Sequence, residues 1–335
     1  PKGASMTERY DVAGLGNAIV DVIAATDDQF LLKHNIAKNV MTLIDEFRAV
    51  QLLSALPDGQ EIAGGSAANT MAGLATLGGR GLFVGKVKED RLGESFAESL
   101  KSIVVHYHTR KAPGGAPTGC CLIAVTPDGH RSMNTYLGAA REIAPHDIDE
   151  DAIAASSVLY IEGYLWDQPE AKGAIKKAMA VAKRAGRKVA FTLSDPFCVS
   201  RWREEFRALL KDSIDILFAN EEEAKALFEV EAFDDILQAV QRWHGIAALT
   251  RSEKGCVIAR RHEIHVLDAE PVERVVDTTG AGDQFAAGFL YGLTHGMDLR
   301  GSGRLGAIAA AEVISHYGAR PEADLKSLAV AAGLI

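Results

Sequence analysis

The residues best suited to chemistry lie in a run of small side chains near the C-terminal end, DTTGAGDQF at 277–285. Gly280, Ala281 and Gly282 come directly before an apolar run with helical spacing. Small residues let the backbone approach a ligand closely, and the first turn of a helix presents unpaired N–H groups and a positive dipole end. We expect this turn to hold an anion such as a phosphate in transfer. Asp283, in the same turn, is placed to accept the proton of an attacking hydroxyl.

A second group of small and polar residues, GGSAAN, begins at Gly64 and continues into a helical pattern. Gly64, Gly65 and Ser66 would let backbone amides reach sugar hydroxyls, and Asn69 adds a side-chain donor and acceptor. A tight turn before a buried helix would use the same residues. The segment is therefore a candidate substrate site whose role depends on what lies beside it.

Two polar residues follow the first predicted strand, 10–16. Asn17 comes directly after the strand and Asp21 four residues later. An ionised carboxylate accepts hydrogen bonds from two hydroxyls at once, which suits the 2′,3′-diol of a ribose. An isolated aspartate at this place would equally serve as a solvated turn residue.

Two further candidates lie after later strands. Asn220 and Glu223 follow the strand ILFA, although glutamates at a helix start also complement the helix dipole. Thr250 ends the predicted strand 247–250, and Ser252 and Gly255 lie in and just after the turn that follows it. The phosphate-binding pattern GxxxxGK[ST] is absent from the sequence, so these turns do not belong to a P-loop kinase.

The elements that must position these residues alternate between strand and helix over the second half of the chain. Such βα alternation predicts an α/β fold with a mainly parallel sheet covered by helices on both faces. Earlier in the chain, strand patterns flank Pro127-Asp128-Gly129-His130, which indicates a hairpin. We predict one domain from Met6 to Ile335, with a small β-rich lid formed by insertions at 29–62 and 104–138.

Composition limits the classes of function. The 335 residues are 47% apolar and 24% charged, as in a folded enzyme, and the net charge of −9 with scattered basic residues disfavours a nucleic-acid surface. No apolar run approaches the length of a membrane span. Four cysteines without regular spacing indicate neither a disulfide framework nor a zinc site. A cytoplasmic protein is expected, monomeric or homodimeric.

The string DTTGAGDQF closely resembles the C-terminal signature of the ribokinase (PfkB) family of carbohydrate kinases. That resemblance implies a ribokinase-like fold, with Asp283 as catalytic base and the three residues before it as the anion hole. It also implies that Asp277 and Thr279 help to hold a monovalent cation, typically K⁺.

Other segments are similar to the same family, and the likeness extends from Gly14 to Pro321. The family has an asparagine and a glutamate that orient Mg²⁺-bound water and the phosphates, at the positions of Asn220 and Glu223. The turn with Thr250 and Gly255 resembles its nucleotide-binding turn, although Ser252 stands where glycine is commonest. ATP and Mg²⁺ are the implied cofactors. The GGSAAN segment matches the family's N-terminal glycine pair and asparagine.

Further details resemble the members of the family that phosphorylate adenosine. The gap between Asp21 and Gly64 is long enough for a larger lid, and Asn17 would face the purine or the ribose. In those members an arginine matching Arg131 reaches the substrate and the transferred phosphate. The string TLSDPF at 192–197 is also typical of them. The implied reaction is ATP-dependent phosphorylation of the adenosine 5′-hydroxyl.

Alternatives remain at this point. Another nucleoside, or a sugar such as ribose or fructose, would be phosphorylated by the same machinery, although Ile19, Met133, Tyr136 and Leu165 favour a planar base. A catalytically silent nucleoside-binding protein would be expected to lack Asp283 or the glycine turn. The Gly14-Leu15-Gly16 string lacks the third glycine of a dinucleotide-binding fingerprint.

Overall fold

The computed structural model describes residues 10–335; the predicted start of the domain at Met6 lies outside the described residues. The strands are β1 Tyr10–Leu15, β2 Ile19–Ala25, β3 Met41–Leu43, β4 Gln60–Gly64, β5 Gly81–Val84, β6 His106–Tyr107, β7 Thr118–Val125, β8 Arg131–Gly138, β9 Ser156–Glu162, β10 Lys188–Thr192, β11 Ile216–Asn220, β12 Ile246–Thr250, β13 Cys256–Arg260 and β14 Glu263–Leu267. The α-helices are α1 Asp28–Lys33, α2 Glu46–Ala55, α3 Ser66–Thr76, α4 Arg91–Ser102, α5 Glu150–Ala154, α6 Pro169–Arg184, α7 Pro196–Asp212, α8 Glu221–Phe228, α9 Phe233–Arg242, α10 Ala281–Thr294, α11 Leu299–Ile314 and α12 Leu325–Ala331.

The larger sheet has the strand order β14-β13-β12-β11-β10-β9-β1-β5-β6. Its strands from β12 to β6 pair in parallel, and only β13 and β14 at one edge are antiparallel. The run Val158–Ile161 of β9 is buried throughout, as expected for a strand that is covered on both faces. The predicted mainly parallel sheet flanked by helices is therefore confirmed.

Two hydrophobic cores lie on the two faces of this sheet. One contains Val12 and Val158 with Phe289 of α10 and Leu305 of α11. The other contains Leu159 with residues of α6 and α7, Phe206 among them. Close packing on both faces makes the sheet rigid. The loops at its carboxyl edge are therefore anchored to a rigid element.

The smaller sheet, called the lid sheet below, has the order β3-β8-β7-β2-β4. The hairpin predicted around Pro127–His130 joins β7 to β8 in antiparallel register. Two boundaries differ from the predicted insertions. Strand β2, which precedes residue 29, belongs to the lid sheet because it pairs with β4 and β7, whereas β6, inside 104–138, pairs with β5 of the larger sheet. In both cases pairing partners distant in sequence decide which sheet receives the strand.

No helix within residues 10–335 is long and apolar enough to cross a membrane.

Candidate active site

Several polar residues, most of them predicted from the sequence, lie at the carboxyl ends of the parallel strands, on one edge of the larger sheet. Asn17 follows β1, Glu162 ends β9, Asn220 ends β11 and Thr250 ends β12. Asn220 and Thr250 are neighbours in register. The carboxyl edge is where open α/β sheets bind their ligands, so it defines the candidate site.

The glycine-rich turn stands at the start of α10, above this edge. Gly280 is the N-cap residue with φ +82°, and a Cβ there would lie 2.7 Å from the Cα atom of Ala319. Among residues 10–335, no atom lies within 4 Å of the place that a Cβ on Gly282 would take, so that side of the backbone faces open space. Within residues 10–335, no group accepts a hydrogen bond from the N–H of Gly282 or of Asp283. The turn therefore presents free N–H groups at a helix start, as an anion-binding site requires.

The carboxylate of Asp283 lies in the first turn of the same helix and contacts the second predicted segment. Ser66 Oγ donates to Oδ1 at 2.6 Å, and Asn69 Nδ2 donates to Oδ2 at 3.3 Å. Burial raises the pKa of Asp283 to about 6, while these two hydrogen bonds act to lower it. A carboxylate with that pKa is ionised near neutral pH yet binds a proton more readily than an ordinary aspartate.

The side chain of Asp21 lies on lid strand β2 against the backbone of Gly64. A Cβ on Gly64 would collide with all three atoms of the Asp21 carboxylate, so glycine is the residue that fits there. Burial raises the pKa of Asp21 to about 6, and the positive charges of Arg320 and Arg131 partly oppose that rise. The positive charges of both arginines therefore act on this carboxylate at the junction of lid and body.

Gly65 has φ +96°, and a Cβ on it would strike the carbonyl oxygen of Asn17. The loop after β1 and the start of α3 consequently pack backbone to backbone. That close approach brings Asn17 to the same segment that contacts Asp21 and Asp283.

A buried carboxylate that the sequence analysis missed, Glu162, holds these two loops together. Oε1 accepts from the N–H of Asn17 and Oε2 from the N–H of Ala67, both at 2.8 Å. Its side chain is 1% exposed, and burial raises its pKa to about 7 against the effect of those two hydrogen bonds. An acidic residue ending the apolar strand VLYIE was the available signal, since the carboxyl end of a parallel strand faces the site.

Gln284 was also missed as a functional residue, although it belongs to the DTTGAGDQF string. Its Nε2 atom donates to the carbonyl oxygens of Asn69 and Ala319, at 2.9 Å each. Gln284 therefore links α10 to α3 and to the segment around Ala319, next to Asp283. Only the assembled structure reveals these partners, which are distant in sequence.

The predicted cation residues make a compact turn with the C-terminal segment and the lid. Asp277 Oδ1 accepts from Thr279 N at 2.9 Å and Oγ1 at 2.6 Å, and Oδ2 accepts from Gly318 N at 3.2 Å. Arg131 Nη1 of the lid is 3.8 Å from Asp277 Oδ2. Burial opposes ionisation, but these hydrogen bonds and the arginine leave the pKa of Asp277 below its ordinary value. The Asp277 carboxylate is thus an ionised oxygen donor beside the glycine-rich turn at the start of α10.

Asn220 and Glu223 form a reciprocal cap at the start of α8. Glu223 N donates to Asn220 Oδ1 at 2.8 Å, and Asn220 N donates to Glu223 Oε2 at 2.9 Å. Burial, with a smaller contribution from the charges of Asp195 and Asp283, raises the pKa of Glu223 to about 7, against the lowering effect of its hydrogen bond with Asn220. Among the described residues no three acidic, histidine or cysteine side chains form a cluster that could hold a metal ion. A hydrated cation beside Glu223 fits this arrangement, because it would relieve the repulsion between carboxylates.

The turn after β12 carries the remaining candidates. Ser252 begins a 3-10 segment with φ +52°, which accounts physically for the glycine usual at this position. Gly255 has φ +82°, and a Cβ there would strike the carbonyl oxygen of Leu267. Thr250 joins this turn to Asn220 through strand register, but Ser252 and Gly255 lie beyond the cluster around Asp283.

The face of the lid sheet that carries Asp21, called the Asp21 face below, is otherwise mostly apolar. Ile19, Ile123 and Met133 belong to a small cluster on it. Met41 and Leu43 of the edge strand β3 extend this face and are 52% and 65% exposed. An ionised group at one end of an apolar surface would suit a ligand with one polar and one apolar part.

Two of the four residues expected beside a planar base lie elsewhere. Leu165 is 2% exposed within the core that contains α6 and α7, because the segment after β9 folds back onto that face. Tyr136 pairs with Cys120 on the opposite face of the lid sheet, and its hydroxyl is 3.4 Å from Glu46 Oε2. The strict alternation of side chains along β8 separates Tyr136 from Met133. Only Ile19 and Met133 are on the Asp21 face.

Comparisons with known proteins show which family this chain resembles. The model of the pfkB family of carbohydrate kinases matches residues 36–325. The chain is 30% identical to the adenosine kinase of Saccharomyces cerevisiae, over 91% of this chain and 94% of that protein.

Two solved structures are similar over nearly the whole chain. An adenosine kinase from Sinorhizobium meliloti has 48% identity and a TM-score of 0.87, covering 97% of this chain and 100% of its own. A probable sugar kinase from Rhizobium etli has 46% identity and a TM-score of 0.87, covering 98% of this chain and 99% of its own. The ribokinase-like fold predicted from sequence is confirmed. This chain belongs to the pfkB family of carbohydrate kinases.

Proposed function

We propose that this enzyme transfers the γ-phosphoryl group of ATP to the 5′-hydroxyl of adenosine, giving AMP and ADP. The observation that carries the proposal is that one short segment contacts two carboxylates. Gly64 packs against Asp21, while Ser66 and Asn69 donate to Asp283. A ribose has the same division, with a diol at one end of the ring and the reactive 5′-hydroxyl at the other.

At the reactive end, the oxygen of the 5′-hydroxyl attacks the γ-phosphorus of ATP. Asp283 accepts the proton that this hydroxyl gives up. Its raised pKa suits a group that is ionised before the step and protonated after it. The free N–H groups of Gly282 and Asp283 receive the negative charge of the transferred group. Arg131, next to Asp277, adds a positive charge from the lid.

At the other end, Asp21 accepts hydrogen bonds from the 2′- and 3′-hydroxyls. Asn17 lies one loop away, against Gly65, within reach of ribose or base. The apolar residues of the Asp21 face cover the purine, which has no charge to satisfy. This surface favours a nucleoside over a free sugar, whose hydroxyls would leave Ile19 and Met133 without apolar contact.

The phosphates of ATP extend from the α10 turn toward Asn220 and Glu223, with the nucleotide over the turn of Thr250, Ser252 and Gly255. Mg²⁺, when bound, neutralises phosphate charge, and Glu223 orients its water ligands. Asp277 and Thr279 offer oxygen donors to K⁺. The ionised Asp277 carboxylate supports this assignment, because it lies directly under the anion-binding turn.

The same proposal places the enzyme in the cytoplasm, as a monomer or homodimer that returns adenosine to the nucleotide pool in purine salvage. Cys120, Cys121, Cys198 and Cys256 are all buried free thiols. Free thiols in this number suit a reducing compartment.

A coupled assay of ADP release across adenosine, inosine, guanosine, ribose and fructose tests the proposal. We expect adenosine to have the highest kcat/KM, with ³¹P NMR identifying the 5′-monophosphate. A higher kcat/KM for ribose or fructose than for adenosine would contradict it and assign the enzyme to the sugar kinases. ADP release that is the same with and without every acceptor would contradict phosphoryl transfer itself.

A further inference from the structure

A second guanidinium group, that of Arg320, reaches the substrate end of the site from the C-terminal segment. One of its Nη atoms donates to the carbonyl oxygen of Ala63, on lid strand β4 immediately before Gly64. Arg320 therefore spans the junction between the body and the lid. Neither the glycine signatures nor the strand pattern gave a reason to expect this contact.

The backbone next to Arg320 is held by contacts with helix α10 and with the loop before it. The carbonyl oxygen of Ala319 accepts from Gln284 Nε2 at 2.9 Å, and the Cα of Ala319 leaves no room for a side chain on Gly280. The N–H of Gly318 donates to Asp277. Because these contacts immobilise the two preceding residues, the guanidinium is held in place rather than free to sample solvent.

The charge of Arg320 acts on Asp21. It is the largest of the influences that oppose the rise in the pKa of Asp21, ahead of Arg131. In the described part of the chain, however, Asp21 makes no ion pair with either arginine within 4.0 Å. The two arginines therefore stabilise the charge of this carboxylate without forming a direct salt bridge with it. The oxygens of Asp21 remain available to a ligand.

One donor of Arg320 has no partner in the part of the chain that the structure describes. Its Nε atom is buried and makes no hydrogen bond there. A buried donor left unpaired costs about 1–3 kcal/mol, and such a cost is commonly met where a ligand later supplies the acceptor. A hydroxyl oxygen of a bound sugar is an acceptor of the right kind, next to the carboxylate that accepts the hydroxyl hydrogens.

We propose that Arg320 is a specificity-determining residue for the vicinal diol of the substrate. It fixes strand β4 and the carboxylate of Asp21 in one arrangement, and its Nε–H donates to a diol oxygen in the closed complex. The inference rests on the proposed function, since it assumes that Asp21 faces the 2′- and 3′-hydroxyls. It adds a residue that discriminates between ribosides and deoxyribosides.

The test compares adenosine with 2′-deoxyadenosine in the wild type and in Arg320→Met, which keeps the length of the side chain but removes its charge and donors. In the wild type, kcat/KM should be at least tenfold higher for adenosine. The variant should lose most of that preference through a higher KM for adenosine, with KM for ATP within twofold. Arg184→Met, which removes a surface ion pair with Glu150, is the control and should change nothing.

A double variant separates a specific role from a structural one. Because Arg320 is proposed to act both through Asp21 and by its own hydrogen bond to the diol, Arg320→Met should lower the selectivity less in an Asp21→Asn background than in the wild type. Equal losses for both nucleosides in Arg320→Met would mean that the arginine only stabilises the lid, and would overturn the inference. If that variant fails to fold, Arg320→Lys must show the same direction of change, and unchanged selectivity in it would likewise overturn the inference. A wild type inactive on adenosine would instead contradict the proposed function.

Discussion

At the scale of single residues, two aspartates with the same raised pKa have different surroundings. Asp283 and Asp21 both have a pKa of about 6 because both are buried. Asp283 accepts hydrogen bonds from the neutral donors Ser66 and Asn69, whereas the positive charges of Arg320 and Arg131 act on Asp21. Under the proposed function, a neutral environment would let Asp283 take up a proton during the reaction. Positive neighbours would keep Asp21 as an acceptor of hydrogen bonds.

The first prediction concerns the base. Asp283→Asn keeps the shape of the side chain but removes the proton acceptor, so kcat should fall by about 10²–10⁴-fold while adenosine still binds. Steady-state kinetics and calorimetric titration measure the two effects. Asp298→Asn, at the N-cap of α11 away from the site, is the matched control and should keep its turnover. Retention of more than a tenth of wild-type kcat in Asp283→Asn would show that another group accepts the proton.

The second prediction contrasts the two glycines of the anion-binding turn. Gly282→Ala adds a methyl group in open space, so the protein should keep its Tm and lose turnover equivalent to about 3–4 kcal/mol of barrier. Gly280→Ala places a Cβ against Ala319 at φ +82°, so it should lower Tm. Thermal unfolding and initial rates separate the two. If Gly282→Ala left turnover unchanged, the turn would be only a helix start.

At the scale of elements, the site depends on how the starts of α3 and α10 meet. Glu162 binds the N–H of Ala67 in α3 and that of Asn17 after β1. Gln284 of α10 binds the carbonyl of Asn69 from the other side. These buried polar contacts are fully directional, so they specify one relative position of the two helices better than apolar packing alone would.

The third prediction concerns Glu162→Gln, which presents an NH₂ group to the N–H of Asn17 or Ala67. An unpaired buried N–H costs about 1–3 kcal/mol, so urea unfolding should show a loss of that size near pH 8. Because the pKa rises from 4.5 to about 7 on folding, the folded state holds a proton that the unfolded chain releases in that window. The contribution of Glu162 to the free energy of unfolding therefore falls as pH increases. The difference in that free energy between wild type and variant should be larger at pH 5 than at pH 8.

Glu205→Gln is the matched control for this pH dependence. Glu205 pairs with Lys172 at 2.9 Å and, although burial opposes it, hydrogen bonds from Lys172 and Trp166 lower its pKa. Its contribution to stability should be lost as pH decreases, which is the opposite direction. The same direction in both variants would contradict the assignment of Glu162 as a buried carboxylate with a raised pKa.

At the scale of the whole molecule, two arginines connect the lid to the body at the site. Arg131 of β8 lies 3.8 Å from Asp277, and Arg320 of the C-terminal segment donates to Ala63 of β4. The Asp21 face of the lid sheet carries apolar side chains that remain partly or largely exposed, such as Met41 and Leu43. Movement of this face over a nucleoside would bury that surface and exclude water from the transfer step, a common role of lids in kinases.

The fourth prediction follows from that movement. Adenosine alone should protect backbone amides of the predicted insertions 29–62 and 104–138 from hydrogen exchange, most strongly in β3 and β8. Ribose should protect them much less, because it lacks the base that would cover the apolar residues. Mass spectrometry of the exchanged protein measures both, with α6 as an internal reference. Equal protection by ribose and adenosine would contradict closure on the base and favour the sugar-kinase alternative.

The sequence by itself determined the reaction class and the layered fold. The DTTGAGDQF string is short and continuous, so its resemblance to the family signature was enough to predict Asp283 as a base beside an anion-binding turn. The alternation of buried strands and amphipathic helices predicted the parallel sheet, since periodicity is a local property.

Only the tertiary structure decided which distant groups share a site. Glu162, Gln284 and Arg320 have partners far away in sequence, and no spacing rule predicts such pairs. The sequence of β8 likewise did not determine which face of the lid sheet each side chain is on. Leu165, which was expected beside the base, is buried in the hydrophobic core. Contacts of this kind arise when strands and helices pack, because packing sets the neighbours of a side chain whereas the sequence sets only its chemistry.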